Sequence, residues 1–214
     1  MKIALDGPAG AGKSTIAKEL AKKLNYVYIN TGALYRAYTL KVLSDNIDIG
    51  NINNVQTSME NTDFKIAGDQ IFLDGINVTD KIYTPTIDKN ISDIASNRTI
   101  RNIMKKIQQQ LGTQYENIIM EGRDIATVIL PDADFKFYIT ADVEERARRR
   151  AKQNEIKGIT NDYEDILQDI IIRDKYDKNR EVAPLLITPQ SIVIDSTNKT
   201  LDQTIEEILC VIKK

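Results

Sequence analysis

The segment Gly7-Pro-Ala-Gly-Ala-Gly-Lys13-Ser14 sets three glycines ahead of a Lys-Ser pair, a spacing suited to polyphosphate chemistry. Glycines at these places let backbone N–H groups turn inward around phosphate oxygens. Lys13 would then reach the β- and γ-phosphates, and the Ser14 hydroxyl would join the shell of a Mg²⁺ ion. The full candidate cradle for the polyphosphate is Gly7, Pro8, Ala9, Gly10, Ala11, Gly12, Lys13, Ser14 and Thr15. A glycine-rich turn that merely starts a helix leaves Lys13 unexplained, because a cation in a first helical turn opposes the helix dipole unless an anion sits there.

A second set of residues suits a second phosphate. Thr31-Gly-Ala-Leu-Tyr35-Arg36 opens a helix directly after a strand, and Glu121-Gly-Arg123-Asp124 ends an apolar strand where open α/β sheets place ligands. Arg173, Asp177 and Arg180 are spaced i, i+4, i+7, on one face of a helix, which on spacing alone fits a salt-bridge ladder of about 0.3–0.5 kcal/mol per pair. Arg146, Arg148, Arg149 and Arg150 form a dense basic run ahead of a polar stretch containing Gly158. The run is either a solvated face or a flap, over about 146–162, that closes arginines on phosphates. No guanine-reading Asn-Lys-x-Asp segment lies near the later strands.

These residues need a scaffold, and the sequence alternates short apolar strands with amphipathic helices. Strands are expected at Lys2 to Asp6, Tyr26 to Asn30, Asn117 to Glu121, Phe135 to Thr140 and Ser191 to Asp195. Helical stripes run through Ile16, Leu20 and Leu24, through Ile100, Ile103, Met104, Ile107 and Leu111, and through Leu201, Ile205, Ile208, Leu209 and Ile212. Asp142 with Glu145, Asn161 with Glu164, and Thr200 with Gln203 mark helix starts as capping boxes. Thr62 to Thr79 breaks the rhythm with three short runs separated by Gly-Asp and Asp-Gly turns, an antiparallel meander. The expected architecture is a three-layer α/β P-loop fold: a five-stranded parallel sheet with helices on both faces, carrying an inserted small antiparallel subdomain and a mobile lid.

Composition narrows the function. The 214 residues contain no histidine and one cysteine, and 29 Lys+Arg against 31 Asp+Glu give a net charge of −2. Histidine-based acid/base catalysis, His-ligated zinc and thiolate metal clusters are excluded. A near-neutral balance argues against nucleic-acid binding. No apolar stretch reaches the roughly 20 residues of a membrane span or the roughly 7–15 of a signal core, so a cytoplasmic protein is expected. Cys210 lies within an apolar helical pattern and is expected in the core.

Taken together, IALDGPAGAGKST at 3–15, TGALYR at 31–36, EGRDIATVILPDA at 121–133 and RDKYDKNREVAPL at 173–185 resemble the bacterial cytidylate kinases of the nucleoside monophosphate kinase group, over nearly the whole chain. The resemblance implies transfer of the γ-phosphoryl group of ATP to CMP or dCMP with Mg²⁺. It implies one kinase domain, with core 1–50, 91–145 and 175–214, an acceptor-binding insertion at about 51–90, and the lid. Carried over by residue, Arg36, Arg123 and Arg180 hold the acceptor phosphate beside Thr31 and Tyr35, while Ser92, Arg101 and Asp124 read the cytosine edge. Arg173 and Asp177 then contact the ribose, and Arg149 and Arg150 are the lid arginines that act with Lys13 and Arg123 in catalysis. One departure is Asn30, where the family carries Asp, which keeps an acceptor oxygen but loses the charge. The absence of histidine fits, because a phosphate oxygen with a second pKa of about 6 is already ionised and needs no side-chain base. A kinase of another small acceptor such as shikimate and a non-catalytic ATP-binding switch are the rivals, and a monomer is the expected state.

Overall fold

The computed structural model describes residues 1–156, 158–159 and 162–213. In chain order its elements are β1 (Lys2–Asp6), α1 (Lys13–Leu24), β2 (Val27–Asn30), α2 (Thr31–Ser44), α3 (Ile52–Glu60), β3 (Phe64–Ala67), β4 (Gln70–Leu73) and β5 (Ile76–Asn77). There follow α4 (Pro85–Ser96), α5 (Arg98–Thr113), β6 (Ile118–Gly122), a π turn (Ile125–Ile129), β7 (Phe135–Thr140), α6 (Val143–Ile156), α7 (Tyr163–Asn179), β8 (Ile192–Asp195) and α8 (Leu201–Ile212). All five expected strands form within a residue or two of the expected bounds. They make a parallel sheet in the order β2-β6-β1-β7-β8.

Two compact units result, residues 1–28 with 116–214, and residues 29–115. In the first, Ile3, Leu5, Ile119, Phe137, Ile139 and Ile194 of the sheet pack with Ile16 and Leu20 of α1 and Ile205 and Ile208 of α8. A strand buried on both faces reads as a continuous apolar run, and every residue of β6 is buried. Each such side chain contributes about 1.5–3 kcal/mol by leaving water. The register pairs Asp6 with Gly122 on one side and with Tyr138 on the other. The carboxyl ends of β1, β6 and β7 therefore lie side by side, and the chain leaves β1 toward β2 on one side of the sheet and β7 toward β8 on the other, the usual ligand position of such sheets.

The second unit contains the meander β3-β4-β5, with Phe64 opposite Leu73 and Phe72 opposite Asn77. Ile71, Leu73, Val78 and Ile82 of that region pack on Ala33 and Ala37 of α2. A second cluster joins Leu34 and Tyr38 to Val55, Met59, Ile91, Ile94, Ile100 and Met104. The insertion expected at 51–90 lies wholly inside this unit, which also includes α2 and α5.

Local signals succeed where capping is self-contained. Thr200 and Gln203 form the expected reciprocal capping box of α8. Glu145 instead binds Arg148 and Arg149. Asn161, like part of the expected lid, lies outside the described residues, and α7 is capped by Asp162. Cys210 is exposed, not in the core. The buried face of α8 is Thr204, Ile205 and Ile208, and residue 210 falls beside it. Arg180 lies beyond the last turn of α7 as its C-terminal cap, so the expected three-residue helical face ends at Asp177.

Candidate active site

The loop between β1 and α1 is shaped by close backbone approach. Gly7 has φ +149°, and a Cβ there would lie 2.0 Å from the Ile139 carbonyl oxygen of β7, so no other residue fits without moving the sheet. Gly12 is the N-cap of α1 and offers no capping side chain, and the first turn holds no acid. The helix start thus presents N–H groups and a positive dipole end to whatever anion binds. Lys13 is buried and donates from Nζ to the Pro8 carbonyl at 2.7 Å. Burial first, then the Arg123 charge, lowers its pKa to about 7 against the pull of Glu121, Asp177 and Asp6. Burial thus works against the charged form of Lys13, and a polyphosphate bound at this turn would favour it.

Opposite this turn, Ser14 Oγ donates to Glu121 Oε1 at 2.5 Å, and Tyr28 donates to the same oxygen at 3.2 Å. Glu121, the fourth residue of β6, was not singled out from the sequence. Two residues on, Arg123 Nε donates to Asp177 Oδ2 at 2.7 Å and its NH1 to the Gly122 carbonyl at 3.2 Å. Arg180 donates to Asp177 Oδ1 and to Asp124 Oδ1, each at 3.4 Å, and to the Ala183 carbonyl at 2.6 Å. Burial pushes the Asp177 carboxyl up, but the charges of Arg123, Arg173 and Arg180 outweigh it and hold it below the usual range. The structure therefore joins Arg123, Asp124, Asp177 and Arg180 in one network, with the Arg173 charge acting on it.

Asp6 is a further residue that sequence reasoning passed over. Its two carboxylate oxygens accept from Ile125 N and Ala126 N at 2.9 and 2.8 Å, which pins the π turn that follows Asp124. Burial raises its pKa to about 6, the two N–H bonds oppose that rise, and the Asp124 charge adds to it. A charged residue ending an apolar strand was the available signal.

The basic run divides by direction. Arg148 is exposed beside Glu145. Arg149 donates to Glu145, to Ser196 Oγ at 3.0 Å and to the Ser196 carbonyl at 2.6 Å, while Arg150 is half-buried. Arg146, grouped with the expected lid, is instead buried and paired with Asp174 at 2.7 Å.

Within the second unit, Asn30 caps α2 by accepting from Ala33 N at 3.1 Å, so the loss of charge at this position leaves the cap intact. Thr31 and Tyr35 are buried on α2. Arg36 donates to the Ile82 carbonyl at 3.0 Å and to Asp88 at 2.5 Å, and lies 5.1 Å from the Tyr83 ring centre. Arg101, on α5, donates to the Ala95 carbonyl at 3.0 Å and stands 5.6 Å from the ring centre of Tyr35. Ser92 is half-buried on α4. Asp88 and Tyr83 are additional partners that no local motif marked.

Among known families, the model described as Cytidylate kinase matches residues 3–214. A cytidylate kinase of Caldicellulosiruptor saccharolyticus is 47% identical over 213 residues, covering 98% of this chain and 94% of that protein. One from Caldanaerobacter subterraneus is 44% identical over 214 residues, covering 100% and 95%. In structure the chain is similar to a shikimate kinase of Bacteroides thetaiotaomicron, with TM-score 0.52, 14% identity and coverage of 100% and 99%. It is also similar to a Sinorhizobium meliloti gluconokinase, with TM-score 0.51, 13% identity and coverage of 98% and 89%. At such identities the structural likeness speaks to the fold alone.

Proposed function

The chain belongs to the cytidylate kinase family and transfers the γ-phosphoryl group of ATP to CMP or dCMP, and we propose that the residues described above carry that reaction as follows. The observation that supports this most is Lys13, a buried lysine at an uncapped helix start whose charged form burial disfavours and a bound polyphosphate would favour. The backbone of residues 7–15 would hold ATP, with Lys13 on the transferred group.

Mg²⁺ fits the donors present. Ser14 Oγ already points at the Glu121 carboxylate, and Mg²⁺ takes one or two protein oxygens with substrate phosphates and water. When bound it would neutralise phosphate charge beside Lys13. The cluster of Arg123 and Arg180, oriented by Asp177 and Asp124, would take the acceptor phosphate, with Arg36 of the second unit serving the same group. Ser92, Arg101 and Asp124 would read the cytosine edge, Thr31 and Tyr35 would pack at the acceptor, and Arg173 with Asp177 would meet the ribose. The attacking phosphate oxygen is already ionised, so the side chains would align reactants and stabilise charge rather than move a proton.

Arg149 and Arg150 would act on the phosphates from the lid, Arg149 by exchanging Glu145 and Ser196 for substrate oxygens. A monomeric, cytoplasmic enzyme using only nucleotide substrates completes the reading. Arg123→Ala tests it: kcat/KM for CMP should fall about 10²-fold or more while ATP affinity changes little. Equal loss for both substrates would remove Arg123 from the acceptor side.

A further inference from the structure

Ala9 lies at the outer bend of the phosphate loop, five residues upstream of Ser14, and both of its backbone polar groups end on side chains from distant parts of the chain. Its N–H donates to Asp174 Oδ1 at 3.3 Å, and its carbonyl accepts from Arg146 NH1 at 2.8 Å. Arg146 NH2 pairs with Asp174 Oδ2 at 2.7 Å, closing a ring that includes the Ala9 peptide groups. Arg146 Nε is fixed in turn by the Ala141 carbonyl at 2.9 Å, just after β7. Both side chains are largely buried, at 7% and 12% exposure. A guanidinium with three nitrogens engaged has its plane set, which is more than charge balance requires.

The loop is fitted to this pair on its other side as well. A Cβ on Gly10 would sit 3.0 Å from Arg146 Cβ and 3.2 Å from the Arg146 carbonyl oxygen. A side chain at position 10 would thus crowd α6, and the φ of +76° disfavours one as well, both independent of any phosphate. The helices that carry the pair are themselves joined through Ala147, Ile166 and Ile170, so the clamp is anchored in a packed hairpin and not in a loop.

We propose that Arg146 and Asp174 are positioning residues for ATP, a buried clamp that holds the Ala9 bend so that the loop N–H groups face the polyphosphate before nucleotide arrives. In this role both act through the Ala9 backbone and not on substrate. The clamp removes the two Ala9 groups from competition for the anion and prevents the loop from collapsing into its own binding space. A preorganised donor set of this kind lowers the reorganisation required on binding. The inference rests on the reading of residues 7–15 as the ATP cradle.

The test uses Asp174→Asn, which keeps an oxygen for Ala9 but loses the charge facing Arg146, and Arg146→Lys, which keeps the charge but loses the fork. ATP affinity is read by direct titration, with KM for ATP and for CMP measured alongside. The clamp predicts that ATP Kd and KM rise together by roughly tenfold in each variant that stays folded at the assay temperature, with KM for CMP within about twofold. A lowered melting temperature with unchanged ATP affinity would make the pair structural only and overturns the proposal. In the unmutated protein without nucleotide, the Ala9 amide should exchange on the order of 10²-fold more slowly than an open amide. Exchange at the open rate overturns the proposal even if neither variant folds. Failure of the unmutated chain to phosphorylate CMP would count against the kinase reading, whereas the titration and exchange results speak to the clamp alone.

Discussion

Arg123 of the first unit is half-buried and Arg101 of the second is buried, and the two are held differently. Arg123 ends on Asp177, which also receives Arg180, and Arg180 reaches Asp124. Arg101 is described by a carbonyl, that of Ala95, and by the face of Tyr35. Ion pairs between buried charges are directional and costly to break from one side, because the partner is left uncompensated. Contacts to a carbonyl and an aromatic face are graded and tolerate small shifts. The contrast is one between two arginines and not a rule of the units: Arg123 is fixed by a carboxylate that Arg180 shares, whereas the contacts described for Arg101 are a carbonyl and an aromatic face, and Arg36 of the second unit pairs with Asp88 much as Arg123 pairs with Asp177.

The steepest consequence is at Lys13. Lys13→Ala should lower turnover by about 10²–10³ or more with circular dichroism unchanged, the loss expected when a charge proposed to face the transferred group is removed. Activity within about fivefold of the unmutated protein would break the distinction at its strongest point. Next in size, Asp177→Asn should reduce kcat/KM for CMP roughly 10–150-fold, the loss expected for charge-assisted hydrogen bonds of about 1.5–3 kcal/mol. Comparison with dCMP then sharpens the assignment. Unequal losses place Asp177 on the 2′-hydroxyl, and equal losses leave it holding Arg123 and Arg180.

In the second unit the effect should be milder. Arg101→Lys keeps the charge but loses the plane over Tyr35, worth about 0.5–2 kcal/mol, so KM for CMP should rise roughly 2–30-fold with kcat nearly constant. A collapse as deep as that at Lys13 would erase the contrast.

The last consequence is for stability and pH and leaves the contrast in activity untouched. Asp6 has its folded pKa raised to about 6 from 3.8, so between these values the folded state binds more protons than the unfolded one. Its favourable contribution is fully present below about pH 4 and is lost as pH rises through about 6. Relative to Asp6→Asn, the unmutated protein should therefore lose up to roughly 3 kcal/mol of stability across that window, read by denaturant unfolding. A difference independent of pH would show that Asp6 titrates normally.

Much of this molecule was readable from local pattern. Buried parallel strands are uninterrupted apolar runs, which is why all five core strands and the meander fall where expected, and the phosphate loop is specified by glycines that its own neighbours require. What escaped depends on contacts distant in sequence. Arg146 belongs to a run of arginines and looks solvated until Asp174 and Ala9 are seen around it. Asp6 ends its strand and Glu121 lies one residue before the end of its own, and nothing local reveals that one binds the π turn and the other faces Ser14. Cys210 shares a helix with an apolar stripe, but its angular position is exposed. Arg173, Asp177 and Arg180 keep part of the ion pairing that their spacing suggested, since Asp177 pairs with Arg180, but Arg123 just beyond β6 adds a partner that no local pattern could reveal.

The central claim is phosphoryl transfer between ATP and a cytidine monophosphate, and a coupled ADP-release assay on the purified chain tests it most directly. With Mg²⁺ and ATP, CMP and dCMP should each yield one ADP and one cytidine diphosphate per transfer, with negligible ADP when no acceptor is added. ADP release that ignores CMP and dCMP, or that responds to shikimate in their place, would contradict the account.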